Sequence, residues 1–169
     1  MKGITAILIA LVSATSLLAQ SSESVPASGA PKAFLIGQYQ TAYDDLSASS
    51  ASLVSVCDED VRTAYGHFRN LAVELQKMAF AEGLDLYGVK CWIHFFWNPD
   101  GSIRHIAFYL KPASKNISQE VLTEFFTRFA KIYRIPVQST STFQLYTSLS
   151  FPVLKPEKQA THRPTSTQY

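Results

Sequence analysis

Residues 87–110, YGVKCWIHFFWNPDGSIRHIAFYL, decide the fold. Tyr87 to Trp97 is rich in aromatic and β-branched side chains, the composition of a strand. Ile103 to Leu110 has the same character. Between them stands Asn98-Pro99-Asp100-Gly101. Pro99 presets φ, Asp100 tolerates the second turn position, and Gly101 can take φ > 0 to close a bulge. The segment therefore predicts a β-hairpin. With Asn98 opposite Ser102, Cys91, Ile93, Phe95 and Trp97 share a face with Ile103, His105, Ala107 and Tyr109. Lys90, Trp92, His94 and Phe96 then share the other with Arg104, Ile106, Phe108 and Leu110. The second face carries more charge beside its aromatics, so it is the expected outer face. A slip of one residue would regroup these side chains.

Upstream, Asp58 to about Ala81 predicts a long helix. Asp58, Glu59 and Asp60 bring negative charge to its start, where the helix dipole favours it. Val61, Ala64, Tyr65, Phe68, Leu71, Ala72, Leu75 and Met78 make one apolar stripe, and Gly83 marks its end. Before it, Leu35, Tyr39, Ala42, Tyr43 and Leu46 fall at helical spacing, so a short helix is expected within 34–46. Downstream, Ser118 is the expected N-cap of a helix with Glu120 in its first turn, stopping before Pro136. Thr142 to Val153 reads as a third strand. Phe143, Leu145, Thr147 and Leu149 share one face of it, and Gln144, Tyr146, Ser148 and Ser150 the other.

The order helix-strand-strand-helix-strand is an α+β pattern. The third strand is antiparallel to the first and can lie beside it. The expectation is a three-stranded antiparallel sheet with helices packed on one face, reached by a right-handed crossover.

The outer parts of the chain read differently. Met1-Lys2, an apolar run from Ile4 to Leu18, and Ala19-Gln20 follow the order of a secretory signal peptide, expected over 1–19. Residues 20–33 read as a flexible leader, 34–153 as a single domain, and 154–169 as a disordered polar tail. Export to the periplasm or the medium is the expectation, without a stable membrane anchor. The 169 residues include 47% hydrophobic and 17% charged ones, enough apolar material for one domain with a real core. A net charge of +2 with no basic stripe gives nucleic-acid binding little support.

The two cysteines, Cys57 and Cys91, could form a disulfide in an oxidising compartment or stay buried as thiols. His94 and His105 lie on paired strands but point to opposite faces in the register above, so no shared metal is expected. His67 and His162 have no ligating context. Asp44-Asp45 and Asp58-Glu59-Asp60 are carboxylate clusters at helix ends, where solvated capping explains them. GxSxG, HExxH, P-loop and GxGxxG patterns are absent from the sequence. No cofactor is expected. Asn116-Ile117-Ser118 matches a glycosylation sequon, and local capping explains the same residues.

The segment GVKCWIHFFWNPDGSIRHIAFYL and the helix after it, through the strand ending near residue 153, resemble the C-terminal domain of TonB-type energy transducers. Residues 34–153 are also similar to a group of exported bacterial proteins with a VCDxD, GVK, FWNxDGSI and SFP run, a resemblance that implies no particular activity. The TonB resemblance implies a sheet edge that accepts an extended peptide from a partner. Here that edge is the strand Thr142 to Phe151. The chain departs from the family in its short leader and cleavable signal, so the binding mode is what carries over.

The functional expectation is an exported, non-enzymatic interaction module for a protein or peptide, or for a second copy of the chain. Its binding surface is expected at Trp92, His94, Phe96, Arg104, Phe108 and Tyr146. If the 34–46 segment or a helix covers these aromatics, they are core instead. A carrier or sensor of a small hydrophobic ligand, held between helix and sheet, is the alternative. A hydrolase built from scattered residues is a third.

Overall fold

The computed structural model describes residues 29–153. The expected signal peptide, most of the leader and the tail from residue 154 lie outside the described residues. The elements are β1 (Ala33–Leu35), α1 (Gln40–Ser49), β2 (Ala51–Ser52), α2 (Leu53–Val56), α3 (Val61–Ala81), β3 (Lys90–Trp97), β4 (Ile103–Leu110), α4 (Gln119–Ile132) and β5 (Phe143–Ser150).

The fold is α+β, but the sheet has five strands in the order β1-β4-β3-β5-β2 rather than three. The antiparallel trio β4-β3-β5 forms its centre. β1 adds parallel to β4, and β2 parallel to β5. The helix expected within 34–46 forms as α1, shifted to Gln40–Ser49, and the two short strands flank it. Phe34 and Leu35 belong to β1, and Gly37 at φ 100° turns the chain into α1. A three-residue and a two-residue strand carry too little periodicity to be read locally. They exist because the central sheet offers them backbone partners.

The turn forms as its residues require. Gly101 sits at φ 80° and donates its N–H to Asn98 O at 3.0 Å. Asp100 accepts from the Ser102 N–H and hydroxyl, and Arg134 reaches the same carboxylate. The register departs from expectation just past the turn. Trp97 stands opposite Ile103, but Phe96 stands opposite His105, so Arg104 is an extra residue at a β-bulge. That residue inverts the faces of β4. Ile106, Phe108 and Leu110 join Cys91, Ile93 and Phe95, whereas His105, Ala107 and Tyr109 join Trp92, His94 and Phe96.

The first of these faces is the main core. Phe95, Phe108, Phe125, Phe126, Phe129 and Phe143 are buried there with Leu71 and Leu75 of α3. α3 is capped by Asp60, which accepts from the N–H groups of Arg62 and Thr63. α4 is capped by Ser118, as expected, and carries Glu120 in its first turn. The second face is half covered. α1 lies over it, and Phe34, Leu46, Phe96 and Ala107 form a small second core with Tyr39 and Tyr43 packed against it. The helices therefore occupy both faces, not one.

Candidate functional site

The uncovered half of the second face is the candidate site. It is built from alternate residues of three strands. Trp92 of β3 faces Tyr109 of β4 on one side and Ser148 of β5 on the other. His94 faces Tyr146, and Lys90 faces Ser150. Strand alternation puts all these side chains on one surface. Trp92 is 41% exposed, Tyr109 52% and Tyr146 53%. The Trp92 and Tyr146 rings stack at 5.9 Å with planes 17° apart. Lys111, just past β4, extends over the Trp92 ring at 3.8 Å and donates to the Ser148 hydroxyl at 2.5 Å. The result is an aromatic shelf with a cation fixed on it.

The floor of the shelf is His94, 5% exposed. Gln144 Nε2 donates to the Ser47 and Ser50 carbonyls at 2.8 and 3.0 Å. That fixes the amide and leaves Oε1 against His94 Nε2 at 2.5 Å. His94 Nε2 therefore carries the hydrogen, and Nδ1 accepts from the Tyr43 hydroxyl at 3.0 Å. Both nitrogens are committed, and none is left to bind a metal or accept a substrate proton. Burial pushes the imidazole down to about 4. His94 is thus a neutral clamp that ties α1 and β5 to β3.

The other expected site residues scatter. Phe96 is fully buried, with Tyr43 6.0 Å from it. Phe108 does not reach the expected surface. The bulge at Arg104 turns it into the main core, 5.0 Å from Phe126. Arg104 itself is exposed at the bulge, away from the Trp92–Tyr146 pair. His94 and His105 share a face, contrary to expectation, yet His105 Nδ1 lies 2.8 Å from Pro31 O. Among the described residues no group of three or more His, Cys, Asp or Glu side chains could hold a metal. Cys57 and Cys91 are free thiols, with Cys91 buried and its thiol pushed up to about 12 by burial. Tyr109 and Lys111 were missed. The bulge brings Tyr109 to this face, and Lys111 lies just past the strand that its sequence predicts.

Beside the shelf runs a sheet edge that α2, continuing from β2, lies against near its start and that is open beyond it. β2 pairs only with Phe143 and Gln144. Among the described residues no strand pairs with β5 beyond them. The phase of the edge follows from two bonds. Phe151 N donates to Val89 O, and Ala51 N donates to Thr142 O. The odd-numbered residues of β5 therefore bond β3, and the backbone groups of Tyr146, Ser148 and Ser150 point outward. Their side chains lie on the shelf.

A separate apolar groove of about 600 Å³ lies at the end of α3, lined by Val73, Phe80, Leu84, Leu86, Tyr87 and Phe151 among others. It is not between helix and sheet, where a ligand cavity was expected.

No family model matches the chain, and neither a curated protein nor a solved structure matches it significantly.

Proposed function

We propose that this chain is an exported, non-enzymatic protein-interaction module that takes an extended peptide along the β5 edge, beside the aromatic shelf. The observation that carries the reading is the coincidence of the two features. The unpaired part of β5 is the strand that holds Tyr146 and Ser148 on the shelf. A strand added there gains main-chain hydrogen bonds from the edge, while its alternate side chains reach Trp92 and Tyr146. The TonB-like order of elements supports the same mode, and the N-terminal sequence supports export. In β1 and β2 the sheet already shows its capacity to take up short strands.

Amide hydrogen exchange tests the reading. In the free protein the N–H groups of Tyr146, Ser148 and Ser150 should exchange fast, and those of Leu145, Thr147 and Leu149 slowly. Peptides selected from a random display library should slow the first set and change Trp92 fluorescence. Tight-binding peptides that leave that set unprotected would sink the edge reading.

The groove at Phe80 and Tyr87 favours a second reading, carriage of a small hydrophobic ligand. Its volume falls in the range of small-molecule sites. A fluorescent fatty-acid analogue should then bind the protein, and less tightly after Phe80→Ser.

A further inference from the structure

We infer that the partner strand is acidic, with a carboxylate side chain opposite Ser148 and an aromatic or apolar side chain two residues away, opposite Tyr146. This rests on the edge-binding reading above and names the chemistry of its partner.

The inference starts from where Lys111 ends. Its side chain leaves the end of β4, crosses β3 above Trp92 and stops on the Ser148 hydroxyl of the edge strand. A cation is thereby delivered across the sheet to β5, which among the described residues has no strand on its outer side past Gln144. An ammonium has three donors, and Ser148 takes one. Among the described residues no carboxylate pairs with Lys111 or with exposed Lys90, which faces Ser150 on the same surface. The ion pairs of Glu74, Asp85, Glu82, Glu124 and Asp100 are all with other cations. Asp44 and Asp45 are exposed on α1, over the covered half of the face.

A strand added to β5 lies about 5 Å from it. Its residue opposite Ser148 places a side chain on the shelf, within about 5 Å of Ser148. An Asp or Glu there meets the Lys111 ammonium in a charge-assisted hydrogen bond. The next residue on that face stands opposite Tyr146 and packs beside the Trp92–Tyr146 stack. On the other side, opposite Ser150, it meets Lys90. The pattern is an aromatic or apolar residue, then carboxylates two and four places along, in either chain direction. A second copy of the chain fits less well. Its own β5, paired through Ser148, would set Lys111 against Lys111.

The test uses fluorescein-labelled synthetic nonapeptides STYTETETS and its reversed order STETETYTS. Each has a counterpart with Gln for Glu, and a counterpart N-methylated on alternate residues in each phase. Binding is read by fluorescence anisotropy. One of the Glu peptides should bind about tenfold more tightly than its Gln counterpart. Lys111→Met, which keeps the apolar stem on Trp92 and removes the charge, should erase most of that preference. Lys90→Ala, at an exposed position, should reduce the preference further. Glu and Gln peptides of equal affinity, or a preference that survives both substitutions, would overturn the acidic partner and leave the edge reading standing. Failure of every peptide to bind, or N-methylated peptides binding as tightly as the rest, would overturn both.

Discussion

At the scale of single residues the clearest consequence belongs to His94. The unfolded chain accepts a proton on this ring near 6.5, whereas the folded protein resists it until about 4. Acid therefore favours unfolding. The stabilisation is fully present above 6.5 and is lost as the pH falls toward 4. Between pH 7.5 and 4.5 His94 should account for about 2–3 kcal/mol of lost stability in urea titrations. His94→Gln should flatten that part of the profile. His105, also depressed by burial, contributes in the same direction. Gly101 yields a second expectation. A Cβ there would sit 2.3 Å from Ile135 O and 2.8 Å from Val137 O, at a φ that side chains resist. Gly101→Val should cost about 3 kcal/mol, and Gly101→Ala nearly as much, because the obstacle is backbone and cannot turn aside. Unchanged thermal unfolding of Gly101→Ala would contradict the close approach of the 135–137 segment. The need for Gly101 could be read from Asn98-Pro99-Asp100-Gly101. The His94 clamp could not, because Tyr43 and Gln144 are brought to it only by the fold.

At the scale of elements, legibility tracked how much of each element's reason lay within itself. β4 spans Ile103–Leu110, the stretch its sequence predicts, and α4 begins after the Ser118 cap as expected. The alternation of β5 was also readable, since Phe143 and Leu149 are buried and Tyr146 and Ser150 exposed. Ser118 accepts the Val121 N–H at 3.3 Å, so Ser118→Ala should lower stability by about 1 kcal/mol in chemical denaturation. The faces of β4 were not readable past Ile103. The residues Ser102, Ile103 and Arg104 do not declare which of them will be skipped in the pairing, and one skipped residue moved Phe108 from the proposed surface into the core. β1 and β2 were invisible for a different reason. Their partners, β4 and β5, lie far along the chain, and their own few residues could equally join a helix.

At the scale of the whole molecule, the two cysteines report on the packing. Cys91 lies in the main core with no exposed surface, and Cys57 is half-buried beside it. A thiol reagent should label Cys57 slowly and Cys91 only on unfolding. Labelling of both at equal rates in the native protein would contradict the placement of β3 at the centre of the sheet. The candidate site also belongs to this scale. Trp92 and Tyr146 could be singled out from sequence and Tyr109 could not, while the division into a covered and an open half depends on α1 crossing the sheet. The open edge depends on β2 being two residues long.

The parallel pairings of β1 with β4 and of β2 with β5 set an order of events during synthesis. Ala33 must wait for Ile106, and Ala51 for Phe143. β1, the first part of the domain to leave a ribosome or a translocation pore, thus has no strand partner until β4 has emerged, and β2 has none until β5 has. α1, whose clamp needs His94 and Gln144, closes at the end. Nascent chains stalled before residue 143 should leave the 40–52 region open to proteolysis, and release of β5 should close it. The 40–52 region of a chain built this way stays threadable until β5 is made.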